Sequence, residues 1–263
     1  MVQRSSDGSV TRSRPPDAGP ADADPGSVYR RNALLARLPD GEPERLAPHL
    51  SLIHLGLRDP IERRGTPLEA VYFPLDLVAS VVDTSDPADE VEVEVATIGH
   101  EGVTGMHAFL GATTSPFDTY CQVPGRALRL PVDRLRGFLV DDGALRALFQ
   151  IYAQVLIGQL ARNVVCHQRH QAEQRTARVL LTTHDRAGVD TFTLTQEFLA
   201  QMLGVRRVTV SEIAGRFQHQ GLVRYIRGQM TDTDRAGLEA ACCPCYRLLE
   251  DQTRHLLVQG DQS

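Results

Sequence analysis

Two adjacent arginines in the C-terminal third of the chain have the right type and position to read nucleic-acid bases. Arg206 and Arg207 directly follow a short apolar segment that ends near Gly204. At the start of a helix that enters the major groove, an arginine guanidinium can donate two parallel hydrogen bonds to guanine. The side chains on the next turns could add base contacts, and the candidates are Thr209, Ser211 and Glu212.

The charge around these residues favours an anionic partner. Residues 195–229 hold five arginines and two glutamates, whereas the whole chain of 263 residues has a formal net charge of −5. A basic patch on an acidic chain is the electrostatic feature that phosphate contacts require. Beyond the adjacent pair, we expect three arginines to contact the phosphate backbone: Arg216, Arg224 and Arg227.

The apolar pattern predicts a helix-turn-helix beneath this patch. Thr195 can cap a first helix, and Gly204 permits the backbone conformation that ends it. A second helix begins near Arg206 and buries four apolar residues, Val210, Ile213, Ala214 and Phe217. Two extended segments follow, joined at Arg227 and Gly228, which predict a β-hairpin wing. Together these features favour double-stranded DNA as the partner over an ordinary solvated two-helix corner.

The cysteines are the second group that could do chemistry. Cys242, Cys243 and Cys245 lie close together in a helical extension that also contains His255. Their spacing lacks the paired C-x-x-C of a structural zinc site, and the total of five cysteines does not fit a disulfide framework. We therefore expect a packing role in a reducing cytoplasm and no metal site. A redox role remains the alternative.

Signatures of catalysis are absent from the sequence. There is no G-x-S-x-G nucleophile elbow, no G-x-x-x-x-G-K phosphate loop, and no two histidines separated by one residue. We therefore expect that the protein is not an enzyme and holds no cofactor. A small β-barrel enzyme with a helical appendage is the less favoured alternative.

The whole chain divides into four predicted regions. Residues 1–28 are almost devoid of apolar side chains and predict a disordered tail. Residues 29–140 contain short apolar segments between Gly, Pro and Asp, which predict a compact β-domain. Within it, strict alternation over residues 91–95 predicts that the valines face the core and the glutamates face water. A long helix is predicted over 141–173, and the winged domain with its helical extension over 174–263.

The long helix carries a broad apolar stripe. Leu145, Leu148, Tyr152 and Val155 recur at spacings of three and four, which predicts a seam against a second copy of the chain. An ordinary buried helix of a single core is the alternative. No uninterrupted apolar run approaches the roughly 20 residues needed to cross a bilayer, so we expect a cytoplasmic protein without a membrane partner.

Over residues 203–218, and again at Gly221-Leu222-Val223, the sequence resembles the Crp/Fnr family of bacterial regulators. Weaker similarity extends to Val71-Tyr72-Phe73-Pro74 and Gly99-His100-Glu101-Gly102. The resemblance implies an α+β protein with a cyclic-nucleotide-binding-like β-roll, a dimerisation helix and a C-terminal winged helix-turn-helix. It also implies a homodimeric transcription regulator that binds a two-fold-symmetric operator, with RNA polymerase as a candidate partner.

Two departures from the family pattern affect what the resemblance implies. Members commonly have a glutamate where this chain has Val208, so we do not expect the usual half-site. The segment Gly99-His100-Glu101-Gly102 is the candidate effector pocket, but residues 111–123 contain no arginine and include Asp118. We therefore expect an unidentified effector rather than a cyclic nucleotide. A β-roll that binds another ligand or a partner, with redox or metal sensing through the cysteines, is the alternative.

Overall fold

The structure, a computed structural model, describes residues 28–84, 92–141 and 143–259. Residues 1–27 of the predicted tail lie outside this range. The N-terminal part contains three 3₁₀ turns and one short helix before the first strand: Tyr29–Arg31, Leu35–Arg37, α1 (Glu42–Leu46) and Ala47–His49. These segments bury apolar side chains such as Leu34, Leu35 and Leu46 in the core of the β-domain.

The predicted β-domain consists of two antiparallel sheets. The first sheet has the strand order β1-β7-β3, with β1 (Ser51–Leu55), β7 (Gly125–Pro131) and β3 (Ala70–Pro74). The second has the order β2-β6-β4-β5, with β2 (Pro60–Glu62), β6 (Asp118–Val123), β4 (Val78–Thr84) and β5 (Glu92–Ile98). Two helices complete this part of the chain, α2 (Met106–Phe109) and α3 (Val132–Asp141). The core includes the fully buried side chains of Val71, Phe73, Leu128 and Leu130.

Helix α4 (Gly143–Arg169) buries one face against the β-domain of its own chain. The buried residues lie along one face of the helix: Leu145, Leu148, Phe149, Tyr152, Val155, Gln159, Asn163 and Cys166. The predicted dimer seam through Leu145, Leu148, Tyr152 and Val155 is therefore wrong, because these side chains belong to the core cluster of the β-domain. An amphipathic stripe shows that a face is buried but does not show what covers it.

By length and composition alone, α4 could cross a membrane, with a mean hydropathy of 1.2 over its most apolar part. Buried helices of ordinary domains pass the same test. The polar residues on its buried face make specific contacts, because Gln159 and Asn163 donate hydrogen bonds to the carbonyls of Thr97 and Val95 in β5. These contacts attach the helix to the sheet.

The alternation predicted for residues 91–95 is wrong in the part that the structure describes, 92–95. Glu94 is buried, while Val93 and Val95 are only half-buried. The prediction assumed water on one face of β5, but that face lies near the side chains of Arg178 and Arg186 in helix α5. The carboxylate of Glu94 accepts hydrogen bonds from the hydroxyls of Ser80 and Thr97. Burial raises the pKa of Glu94 to about 7, despite these hydrogen bonds and the two arginines.

The C-terminal part begins with α5 (Ala172–Ala187), which Gln171 and Gln174 cap reciprocally. It continues through a strand, two helices, a hairpin and two further helices: β8 (Thr191–Thr193), α6 (Gln196–Leu203), α7 (Arg207–His219), β9 (Val223–Ile226), β10 (Gln229–Asp232), α8 (Arg235–Ala241) and α9 (Cys245–Gln259). The strands form a sheet of order β8-β10-β9, so the wing has a third strand that the sequence analysis did not predict.

The two parts of the chain share buried surface. Val78 and Val123 of the second β-sheet belong to the same apolar cluster as the core of the C-terminal part. Polar contacts surround this cluster, since Gln122 in β6 donates hydrogen bonds to Thr183 Oγ1 in α5 and to Met202 Sδ in α6. The β-domain and the helix-turn-helix are therefore docked on each other in this structure.

Candidate DNA-binding site

The helix-turn-helix forms as the sequence predicts. Thr195 Oγ1 accepts a hydrogen bond from the backbone N–H of Phe198 and so caps α6. Gly204 ends this helix with φ of 60°, in the left-handed region that favours glycine. Arg206 is the N-cap of α7, which buries the four predicted residues Val210, Ile213, Ala214 and Phe217. Both helices contribute buried side chains to one core, which fixes the corner between them.

The outer face of α7 is exposed over its first two turns. Arg206, Arg207, Ser211 and Glu212 lie on this face, whereas Thr209 is half-buried. Val208, which departs from the family pattern, is also exposed, with 56% of its surface accessible. The fold therefore gathers four of the five predicted base-reading side chains on one surface, and their contacts with DNA remain a prediction.

Two of the predicted DNA-contacting residues already have partners within the chain. The Ser211 hydroxyl is 2.6 Å from Gln196 Oε1 and donates to it, which ties α7 to the start of α6. The guanidinium of Arg216 forms an ion pair with Glu173 at the start of α5, at 2.8 Å. Arg216 would have to exchange this exposed ion pair for a phosphate, which costs little because such pairs are weak.

The wing is a tight hairpin whose two-residue turn consists of Arg227 and Gly228. Both have positive φ, 51° and 81°, as a type I′ turn requires. An arginine in the left-handed region is unusual and mildly strained. Arg224 and Arg227 are exposed, and neither forms an ion pair among the described residues. Together with Arg206 and Arg207 they leave four guanidinium groups available to an anion.

The candidate effector segment, residues 99–102, is in contact with two helices. Glu101 forms an ion pair with Arg186 of α5, and His100 Nδ1 lies 3.2 Å from the Arg186 carbonyl oxygen. A Cβ atom on Gly102 would lie 2.0 Å from the Tyr152 hydroxyl of α4, so the backbone here touches the long helix. The segment forms a junction between domains, and an effector there would have to displace these contacts.

A separate cavity of about 380 Å³ lies beside β2 and β3. Its buried acidic residue, Glu62, accepts hydrogen bonds from the backbone N–H of Gly105 and the hydroxyl of Ser115, each at 2.8 Å. Burial raises the pKa of Glu62. Arg63 is the one arginine among the residues that line the cavity. Because a carboxylate already uses these two donors, the cavity is poorly suited to a phosphate.

The structure contains a cluster that the sequence pattern does not predict, formed by Cys166, His170, Cys243 and Cys245. Cys242 and His255, which the sequence places near Cys243 and Cys245, lie outside this cluster, and His255 is exposed. The local signal was present, since Cys166 and His170 are four residues apart on a helical pattern and so share a face. Because Cys166 and His170 are far in sequence from Cys243 and Cys245, the sequence pattern alone does not indicate that the four side chains meet.

Comparisons with known proteins agree with the helix-turn-helix described above. The Crp-like helix-turn-helix domain matches residues 174–241. Among curated proteins, none matches the sequence significantly.

Solved structures of similar fold cover most of the chain. FixK2 from Bradyrhizobium japonicum has a TM-score of 0.63 and 15% identity, over 74% of this chain and 98% of its own. The c-di-GMP-responsive global regulator CLP from Xanthomonas campestris has a TM-score of 0.60 and 15% identity, over 74% and 100%. A CRP/FNR-family transcriptional regulator from Thermus thermophilus has a TM-score of 0.58 and 17% identity, over 73% and 97%. The chain therefore has the fold of Crp/Fnr-type DNA-binding transcription regulators.

Proposed function

We propose that this chain, with its Crp/Fnr-type fold, is a sequence-specific transcription regulator that binds double-stranded DNA. The observation that carries the proposal is the exposed surface of α7 and the wing, where Arg206, Arg207, Arg224 and Arg227 have no acidic partner among the described residues. The first two donate to base edges in the major groove. Thr209 and Ser211 add base contacts, and the carboxylate of Glu212 accepts a hydrogen bond from a cytosine amino group. The wing arginines and Arg216 contact phosphates on either side.

The active form is a homodimer through α4. The face of this helix that points away from the β-domain exposes residues at alternating spacings of three and four: Ala147, Gln150, Gln154, Ile157, Ala161, Val164 and Gln168. Ile157 and Val164 are 65% and 66% exposed, which is unusual for apolar side chains in the middle of a long helix. A heptad pattern of this kind fits a second copy related by a two-fold axis. Such a dimer presents two α7 helices to two half-sites of a symmetric operator.

The β-domain acts as the sensor, and its effector is not a cyclic nucleotide. The absence of arginine from residues 111–123 and the carboxylate of Glu62 in the β-domain cavity both disfavour a cyclic phosphate. The effector acts at residues 99–102, where contacts with Arg186 and Tyr152 link the sensor to α5 and α4. An effector shifts the protein only if it binds one arrangement of these contacts more tightly than the other.

We further propose that the protein acts in the cytoplasm, with RNA polymerase as its partner at promoters and without a catalytic role. The similarity to transcription regulators and the absence of the catalytic motifs named above support this assignment.

Selection of bound fragments from a random DNA pool tests the proposal. The purified protein is used alone, with cyclic AMP, and with c-di-GMP, to which the Xanthomonas relative responds. We expect an inverted repeat to be enriched, with no dependence on cyclic AMP or on c-di-GMP. A matched protein with Arg206 and Arg207 both changed to alanine should enrich nothing. Equal enrichment by both proteins, or a single half-site without symmetry, would contradict the proposed interface or the dimer respectively.

A further inference from the structure

Three thiols and an imidazole meet at one point between α4 and the C-terminal extension. The Sγ atoms of Cys166, Cys243 and Cys245 and a ring nitrogen of His170 all lie within 4.8 Å of one another. The sulfurs of Cys166 and Cys243 are 3.5 Å apart. The three cysteines are at most 2% exposed, so this is an internal cluster.

The fold assembles the cluster from two distant segments. Cys166 lies in the last turn of α4, and His170 follows the end of that helix, where its backbone N–H still donates to the Cys166 carbonyl. Cys243 and Cys245 flank Pro244 at the start of α9, 77 residues further along the chain. Two ligands from each of two segments is a common arrangement for a metal that joins them.

The imidazole of His170 supplies an independent observation. Its Nδ1 atom is buried, with no hydrogen-bond partner among the described residues. A buried polar atom without a partner destabilises the folded state, and native structures rarely contain one without a reason. The neighbouring thiols are weak hydrogen-bond donors and acceptors, so they do not compensate for it. A metal ion bound at Nδ1 together with the three sulfurs would supply the missing partner.

We propose that Cys166, His170, Cys243 and Cys245 bind one Zn²⁺ ion in a closed tetrahedral site. Zinc bonds of about 2.3 Å to sulfur and about 2.0 Å to nitrogen require ligand atoms that are roughly 3.5 to 4 Å apart. The observed separations fit this range after small side-chain adjustments. Four protein ligands leave no open position, so the ion is structural rather than catalytic.

The surroundings suit the charge of such a site. Three thiolates and one Zn²⁺ carry a net charge of −1, which a buried position tolerates only near positive groups. Arg178 and Arg162 lie close enough to act electrostatically on Cys166 and Cys245 respectively, and Arg175 is similarly close to Cys166 and Cys243. Because His170 is only half-buried, its side of the cluster gives the metal a route of entry.

The position of the site indicates which parts of the chain a bound metal would hold together. His170 lies at the junction between α4 and α5, where the chain turns from the long helix into the C-terminal part. An ion held there by Cys243 and Cys245 fixes α9 against the end of α4. The metal therefore adds a direct link between the C-terminal extension and the long helix.

The first test is the metal content of the unmodified protein, expressed in zinc-supplemented medium and purified without chelators. We expect one zinc ion per chain by plasma mass spectrometry. Replacement by Co²⁺ should produce the visible absorption of tetrahedral cobalt and a near-ultraviolet thiolate charge-transfer band. Metal-free protein that cannot take up Co²⁺ would overturn the proposal. So would a Cys166–Cys243 disulfide in freshly purified protein, or the brown colour of an iron–sulfur cluster.

Matched variants locate the site. Cys243→Ser and His170→Ala should lose stoichiometric zinc and the tetrahedral cobalt spectrum. Cys242→Ser and His255→Gln change the neighbouring cysteine and histidine outside the cluster, and both should retain zinc and the spectrum. Loss of zinc from Cys242→Ser to the same extent as from Cys243→Ser would place the metal elsewhere. Circular dichroism of each variant separates loss of metal from loss of fold.

Discussion

Glu101 and Arg186 form a largely buried ion pair between the β-domain and helix α5, with Oε1 2.9 Å from Nε. Their side chains are only 14% and 8% exposed. Glu101 also accepts hydrogen bonds from the backbone N–H of Gly99, which fixes the loop after β5. A Cβ atom on Gly99 would lie 2.5 Å from the Cβ of Arg186, so glycine is needed for this close approach. One ion pair therefore connects the candidate effector segment to the C-terminal part.

Breaking this pair from one side should destabilise the protein strongly. Glu101→Ala leaves the Arg186 guanidinium buried without its partner, which costs about 3 kcal/mol or more. Urea unfolding measures this loss. Arg254→Ala removes an exposed pair with Asp251 and is the matched control, for which we expect a change below about 0.5 kcal/mol. Equal effects of the two substitutions would show that the Glu101 pair does not hold the domains together.

Glu94 should make stability depend on pH. Burial raises its pKa from the ordinary 4.5 to about 7, so the folded protein retains a proton that the unfolded chain releases between these values. The stabilising contribution is complete below pH 4.5 and is lost as the pH rises through 7. Glu94→Gln should reduce this decline and stabilise the protein above pH 7 by roughly 1 to 3 kcal/mol.

Thermal or urea unfolding across this pH range checks the prediction for Glu94. The control is Glu69→Gln, a change at an exposed carboxylate just before β3. Its free energy of unfolding should depend on pH in the same way as that of the unmodified protein. A Glu94→Gln profile parallel to that of the unmodified protein would contradict the assignment.

Arg207 should contribute to base discrimination. Arg207→Ala removes an exposed guanidinium at the first position of α7, so binding to the selected operator should weaken by roughly 1 to 3 kcal/mol and one base preference should relax. Fluorescence anisotropy with a set of single-base operator variants measures both effects. Arg247→Ala, an exposed arginine on α9, should leave affinity and preference unchanged. If Arg207→Ala weakens all operator variants equally, Arg207 contacts phosphate instead of a base.

A substitution of Arg227 should change DNA binding without weakening the fold. Arg227→Asn gives the Asn-Gly sequence that type I′ turns prefer, so the hairpin should keep or gain stability. The same change removes a phosphate contact, which should lower the slope of log affinity against log salt by about 0.9. Parallel measurements of unfolding and of salt-dependent binding check both statements. An unchanged salt slope would show that the tip of the wing does not touch DNA.

Ile157 should be part of the dimer interface. Ile157→Arg places a charge in the exposed seam of α4, so the protein should become monomeric and lose affinity for a two-site operator. Analytical ultracentrifugation gives the oligomeric state. Val140→Arg is the control, because Val140 is an apolar residue of α3 that is 75% exposed and lies outside the seam. If the dimer survived Ile157→Arg but not Val140→Arg, the interface would lie on α3 and not on α4.

The sequence by itself determined the elements whose signals are local. Four predicted features occur at the predicted residues: the Thr195 cap, the helix end at Gly204, the buried positions of α7 and the Arg227-Gly228 turn. Capping, helical periodicity and turn conformation depend on neighbours a few positions away, so one stretch of sequence contains the necessary information.

Only the tertiary structure decided which surfaces meet. Tyr152 faces the β-domain rather than a second copy, Glu94 is buried beneath α5, and Cys166 joins Cys243 across 77 residues. Periodicity shows that one face of a helix or strand is buried, but every candidate covering surface satisfies the same pattern. The choice among them depends on how all the elements pack together, because the burial of each one is complete only when its neighbours are in place.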